Sequence, residues 1–332
     1  MGKNGKPCGI PGDRYVPYEE RTGNQSIVYF TRDLSAAGLR KIYERVDGNI
    51  TGNVGVKLHT GEKNGPNIIP REWVRELLEK DLPGASIIET NTYYQGDRYT
   101  TADHRETLKV NGWTFCPVDI MDAEGAVLLP VQGGKWFSAM SMGKNLTNYD
   151  SLVALTHFKG HSKGGFGGSN KNIGIGCADG QVGKKMIHTT PGSTDMWDIS
   201  FEEFMERMTE SAKAAIDFFG KRVAYVNVLR NMSVDCDCAG VGAAPVVTPN
   251  IGICASTDIL AVDQACVDLV YALKEDRHAL VERMESRHGL RQLTYMKELG
   301  MGNDKYLLVD IDHGDQLISL QEAVKDVQPF AG

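Results

Sequence analysis

VGVKLHTGEKNGPNIIPREWVRELLEKDLPGASIIE, residues 54–89, reads as strand, helix, strand. The apolar run at 54–59 suits a strand, Pro70 stands where a helix starts, and residues 70–80 carry apolar side chains at helical spacing. Pro83-Gly84 marks a turn before a second apolar run at 85–89. The pattern extends both ways: strand at 27–31 and helix at 34–46 before it, helix at 101–110 and strand at 114–120 after it. Repeated strand–helix units predict an α/β fold, a mostly parallel sheet covered by helices. Strands follow at 126–131, 136–141 and 151–157, then a helix after the capping sequence Ser200-x-x-Glu203 that ends at Gly220. A strand at 223–229, another at 251–255, a helix capped by Thr257 or Asp258, two short helices and a strand at 306–311 complete the pass. Two lobes are expected, an N-terminal α/β lobe of residues 1–130 and a C-terminal α/β lobe of residues 131–332.

The chain has 332 residues, 41% apolar and 24% charged, an ordinary globular composition. A net charge of -7 argues against nucleic-acid binding, since the basic residues are dispersed among more numerous acids. The opening MGKNGKPCGIPGD has no apolar signal region, Lys6 stands where a myristoylation motif needs Ser or Thr, and no later apolar run could span a bilayer. A cytoplasmic protein without a membrane partner is expected. Seven cysteines, an odd number at irregular spacing, do not read as a disulfide framework. Cys254 and Cys266 sit in apolar surroundings and read as buried small hydrophobes.

Function concentrates in two segments. The first, THFKGHSKGGFGGSNKNIGIGCADGQVG at 156–183, interleaves glycines with His157, Lys159, His161, Lys163 and Lys171. Glycine is conformationally costly in a regular element, by roughly 0.5–1 kcal/mol against alanine, so such a run suggests a loop built to approach a ligand. His157, Lys159 and His161 are the candidate catalytic groups, because imidazole ligates metal or moves protons near neutral pH and lysine neutralises an anion or polarises a carbonyl. Gly164, Gly165, Gly167, Gly168 and Lys171 are the candidate cofactor-binding set. Neither the phosphate-loop nor the dinucleotide pattern is matched, although backbone amides in such a run could still cradle an anion.

The second segment is Asp235-Cys236-Asp237-Cys238. In extended chain both thiols fall on one face with Cα atoms roughly 6.5–7 Å apart, and Asp235 and Asp237 face the other way. A slight bend would bring both sulfurs to one metal, with His59, His157, His161 or Cys177 as further candidate ligands beside Cys236 and Cys238. A thiolate and imidazole set suits a transition metal or an iron-sulfur cluster rather than magnesium or calcium. Two free thiols in a turn are the alternative. Ligands in open α/β sheets bind outside the carboxyl ends of strands, so residues 59–62, 91–94, 157–161, 235–238 and 256–258 are expected to face one cleft. A small, anionic molecule would be the substrate, and a redox partner protein is conceivable.

The chain also resembles the family called domain of unknown function 362, many of whose members are described as iron-sulfur cluster-binding proteins. The resemblance is carried by residues 56–62, 89–92, 156–161, 165–168 with Lys171-Asn172, 235–238 and 255–266. It implies a metal- or iron-sulfur-dependent protein, an oxidoreductase by preference. Many relatives insert a cysteine-rich ferredoxin-like segment after the glycine-rich loop; here the interval 185–200 has no cysteine, so any cluster would have to use Cys236 and Cys238. The order of elements is similar, more distantly, to the lactate racemase superfamily, whose nickel-pincer cofactor uses lysine and histidine; no residue roles follow from that. Two other readings stand beside the enzyme: a non-catalytic metal or electron-transfer protein, and a metal-free phosphate or nucleotide binder centred on 164–168.

Overall fold

Val56 pairs in register with Val153 on one side and Ile87 on the other, and these three residues mark the parallel half of the main sheet. The computed structural model describes residues 13–330, so Cys8 and the first residues lie outside it. From the N-terminus the elements are β1 (Gln25–Thr31), α1 (Ala36–Tyr43), β2 (Val54–Lys57), α2 (Arg71–Lys80), β3 (Ser86–Glu89), α3 (Thr101–Val110) and β4 (Val118–Ile120). A hairpin of β5 (Ala126–Pro130) and β6 (Ala139–Gly143) precedes β7 (Ser151–His157). Next come a second hairpin, β8 (Lys159–His161) and β9 (Gly165–Gly167), and the helices α4 (Ser169–Gly176), α5 (Gly183–His188) and α6 (Phe201–Phe219). The remainder is β10 (Val223–Leu229), β11 (Gly252–Ser256), α7 (Ile259–Ala272), α8 (His278–Ser286), α9 (Arg291–Glu298), β12 (Lys305–Asp310), β13 (Gln316–Leu317) and α10 (Leu320–Val324).

Nine strands form one sheet in the order β13-β12-β1-β11-β10-β7-β2-β3-β4. It is mostly parallel, and β11 runs antiparallel to both its neighbours. This sheet takes strands from both sides of residue 130, and the expected lobe boundary falls between the two strands of the β5–β6 hairpin. All seven residues of β7 are buried, as expected for a strand covered on both faces. Alternation splits them: Val153 and Leu155 join one core with Leu39, Ile42, Val74 and Leu77 of α1 and α2. Leu152 and Ala154 join the other, with Ile173, Met205, Met208 and Leu260 of α4, α6 and α7.

The helix signals resolve into identifiable contacts. In α2, Val74, Leu77 and Leu78 form the buried face, each contributing about 1.5–3 kcal/mol by burial. Ser200 caps α6 by accepting from the Glu203 amide, and Gly220 ends that helix at φ +61°. Asp258, not Thr257, caps α7. Some expected bounds shift: the strand at 114–120 is confined to β4, and that at 136–141 begins at Ala139 and runs to Gly143. The largest difference lies in the glycine-rich segment, which is not an open loop: it is a buried hairpin followed by the helix α4.

Candidate functional site

Where β2, β3 and β7 end, their carboxyl edges open into a cavity of about 310 Å³. His59 and Glu89 enter it from β2 and β3, Lys159 and His161 from the hairpin after β7, and Lys171 from α4. This is the position that the strand topology favours for a ligand. Residues 256–258 are elsewhere. Because β11 is antiparallel to β10, its carboxyl end lies at the opposite edge of the sheet, and Asp258 there binds Ser26 and caps α7.

Cys236 precedes a short 3-10 turn (Asp237–Gly242), and its sulfur accepts from the Cys238 amide at 3.4 Å. Ligand atoms of His161, Cys236 and Cys238 all lie within 4.8 Å of one another. Tetrahedral zinc-type coordination needs ligand spacings of about 3.5–4 Å, so small side-chain movements would close this group on one ion. His161 is held by the glycine segment: its Nδ1 accepts from the Gly164 amide at 2.8 Å. The neutral ring therefore carries its proton on Nε2, and a metal at Nε2 would require that proton to move to Nδ1 and the Gly164 contact to give way.

Asp237 turns away from its cysteine neighbours, as expected for an alternating segment. Its carboxylate meets His157 Nδ1 at 3.0 Å and Lys159 Nζ at 2.9 Å. Burial opposes its ionisation, but the charges of His157 and Lys159 outweigh burial and hold the carboxyl far below its usual range. His157 Nε2 meets the Arg230 carbonyl at 2.7 Å. Both partners of His157 are acceptors, so neither nitrogen is left for a metal or substrate. The structure thus places His157 behind the site, bracing the cysteine segment, while Lys159 and His161 line the cavity.

Lys171 Nζ donates to Cys236 Sγ at 3.0 Å. The Cys236 thiol is pushed well down by the hydrogen bond from Cys238, against burial, with help from the Lys171 charge and from His59. Cys238 is pushed up by that same hydrogen bond, by burial and by the Cys236 charge. The pair therefore holds one proton between two sulfurs, with the negative charge on Cys236. His59 sits beside Cys236, but it is not part of the three-residue metal group; its Nδ1 accepts from the Gly61 amide at 3.0 Å.

Of the four candidate glycines only Gly168 lines the cavity. A Cβ at Gly168 would fall 2.5 Å from the Asp263 carboxylate, and one at Gly165, where φ is +76°, would fall 2.6 Å from the Gly289 backbone. Gly167 packs on the stems of Lys171 and Lys159. Asp263 accepts from the Ser169 and Asn170 amides at 2.7 and 2.9 Å, so the N-terminus of α4 is occupied by a carboxylate of the protein itself. These glycines serve close packing and hold His161.

Residues that sequence reasoning missed supply much of the cavity's charge. Lys57, 1% exposed at the carboxyl end of β2, pairs with Glu89 at 2.8 Å. Arg98 pairs with Glu62 at 2.7 Å. His188, at the end of α5, lines the cavity with its Nδ1 turned to the Lys184 carbonyl at 2.7 Å. Burial lowers both His161 and His188 to about 3, with nearby lysine charges adding, so both rings are neutral. Lys57 stands within an apolar run and His188 outside the glycine-rich segment, and neither carries a local pattern that would have flagged it.

The family model described as domain of unknown function (DUF362) matches residues 54–268. The chain belongs to this family. Its matched span contains the cavity residues from Lys57 to Cys238. No protein of curated function matches the chain. Among solved structures, the lactate racemase apoprotein from Thermoanaerobacterium thermosaccharolyticum is similar at 14% identity, over 94% of this chain and 88% of that one, with a TM-score of 0.39. A structural-genomics protein from Thermotoga maritima is similar at 12% identity, over 77% of this chain and 57% of that one, with a TM-score of 0.38. Neither likeness carries residue roles to this DUF362 chain. No helix among its described residues is long and apolar enough to cross a membrane.

Proposed function

We propose that this DUF362 protein is a cytoplasmic metal-dependent enzyme, an oxidoreductase by preference, acting on a small anionic molecule inside the cavity. The observation that carries this reading is the convergence of His161, Cys236 and Cys238 within 4.8 Å on the cavity side of the sheet. Two sulfurs and an imidazole are soft and borderline donors, and they fit a single zinc, iron, nickel or copper ion. A four-cysteine cluster does not fit the described residues: Cys177 and Cys266 are buried with raised thiols, and Cys254 is buried in the core with Cys266. When bound, the metal would supply Lewis acidity or an electron path at the wall of the cavity.

The chain's own groups have defined tasks in this reading. Cys238, Lys171 and His59 keep Cys236 as thiolate, Gly164 holds the His161 ring in metal-free protein, and Asp237 with His157 and Lys159 fixes the segment between the two sulfurs. Lys57, Arg98, Lys159 and Lys171 are balanced by carboxylates or by the Cys236 sulfur, and Lys163 and Lys184, which line the same cavity without an ion pair among the described residues, leave it positive, which favours an anionic substrate. Enclosure also favours an enzyme over an electron-transfer protein that must present its centre to a partner: Cys236 is 2% exposed and Cys238 is half-buried against the cavity.

Cobalt titration of reduced, anaerobic protein tests the proposal. A stoichiometric thiolate-to-cobalt charge-transfer band is expected, lost in Cys236→Ser and Cys238→Ser. Absence of the band in the wild type, together with no retained transition metal after anaerobic purification, would remove the metal from the reading.

A further inference from the structure

The cations around the cavity differ in what neutralises them. Lys57, Arg98 and Lys159 each face a carboxylate, and Lys171 faces the Cys236 sulfur. Lys163 and Lys184 have no such partner among the described residues. Lys184 Nζ donates to the Thr90 hydroxyl at 2.7 Å and to the Thr90 and Asn91 carbonyls, so dipoles are its direct partners and the charges of Asp122 and Glu89 reach it only through space. Lys163 is 4% exposed; its ammonium lies 5.1 Å from the Phe204 ring centroid and 5.4 Å from that of Trp197. Its one hydrogen bond, to the His188 carbonyl, is long at 3.4 Å. The exposed Asp195 is the acid whose charge is felt there. A buried ammonium with donors to spare is costly unless a ligand takes them up.

His188 stands next to it. Its ring packs on the same Phe204, 5.1 Å between centroids, and lines the cavity. Because Nδ1 donates to the Lys184 carbonyl, Nε2 carries a lone pair, and no group among the described residues hydrogen-bonds to it. This end of the cavity therefore offers two complementary features: a cation seeking an anionic oxygen, and a neutral acceptor seeking a proton. A fully deprotonated oxyanion satisfies the first and opposes the second, since its oxygens and the Nε2 lone pair would face one another with no hydrogen between them. An oxyanion that keeps a proton satisfies both.

We propose that Lys163 and His188 form a subsite for a protonated oxyanion, of which hydrogen phosphate is the simplest, with Lys184 contributing charge through space. The proposal deepens the reading given above, in that it takes the same cavity as the place where the anionic ligand binds. The glycine run is not the phosphate cradle in this arrangement; side chains at the other end of the cavity do that work. The burial-driven shift of His188 to about 3 keeps it an acceptor throughout the neutral range.

Calorimetric titration of metal-free, reduced protein with inorganic phosphate and with sulfate at neutral pH tests this. Both anions are tetrahedral and of similar size, and only phosphate retains a proton. Phosphate should bind about a hundredfold more tightly than sulfate. Lys163→Met should weaken phosphate about tenfold or more, and His188→Asn, which presents an N–H, should let sulfate bind as well as phosphate. Equal binding of the two anions by the wild type, no phosphate binding, or phosphate binding unchanged in Lys163→Met would overturn the subsite. The cobalt band serves as the second readout. If it forms in the wild type and both variants while phosphate selectivity is missing, the subsite falls and the metal reading stands; selectivity with neither the band nor a transition metal retained after anaerobic purification leaves the subsite and removes the metal.

Discussion

Lys171, on the first turn of α4, donates to the Cys236 sulfur at 3.0 Å across 65 residues of sequence. This ammonium is one of the groups that hold the buried sulfur ionised, after the hydrogen bond from Cys238 and against burial. In metal-free protein, Lys171→Met should move the thiolate ultraviolet absorbance to higher pH by about one unit or more. An unchanged titration would show that Cys238 and His59 suffice.

Ligands and supports should separate by magnitude. His161→Phe should abolish cobalt binding at micromolar protein, because it deletes one of three donor atoms. His59→Gln should weaken binding about 10–100-fold and keep the thiolate band, since His59 supports the sulfur and is not among the three. Equilibrium dialysis against a competing chelator distinguishes the two.

Asp237→Asn leaves Lys159 and His157 facing a neutral amide in a buried setting. A loss of about 3–5 kcal/mol is expected from urea unfolding. Glu76→Gln, which breaks the exposed pair with Lys80, should leave the urea midpoint essentially unchanged.

His104 is fully buried, its Nδ1 on the Asn91 side-chain oxygen at 3.2 Å and its Nε2 unpartnered. Burial, with the Arg98 charge next, lowers it to about 3. The folded state thus refuses a proton that the unfolded chain accepts below about 6.5, so stability is fully present above that value and falls as pH drops toward 3. The urea midpoint should decline between pH 7 and pH 5 less steeply in His104→Gln than in the wild type.

Local sequence carried the elements well: residues 151–157 coincide with β7, and the caps at Ser200 and Asp258 form as their residue types require. It also carried the meeting of Cys236 and Cys238 with His161 at a carboxyl edge. The antiparallel insertion of β11 was not legible, because hydrophobic alternation specifies which faces are buried and says nothing of direction. For the same reason residues 256–258 were expected in the cleft and lie at the far edge. His157 and His161 look alike in sequence; what separates them is Asp237, eighty residues away, which claims one and leaves the other. Glycine at 160 reads as loop, yet a Cβ there would lie 2.2 Å from the Val234 carbonyl oxygen, so closeness to another segment explains the residue.

The placement of β1 has a consequence for how the molecule is made. It lies inside the sheet between β11 and β12, and its register partners are residues 253–255 and 305–310. During synthesis this first strand emerges long before either neighbour exists, while β2, β3 and β4 can already associate with one another. The sheet is completed by insertion, not by simple addition from the N-terminus, and β1 has no neighbour to pair with until residues 253–255, and then 305–310, have been made.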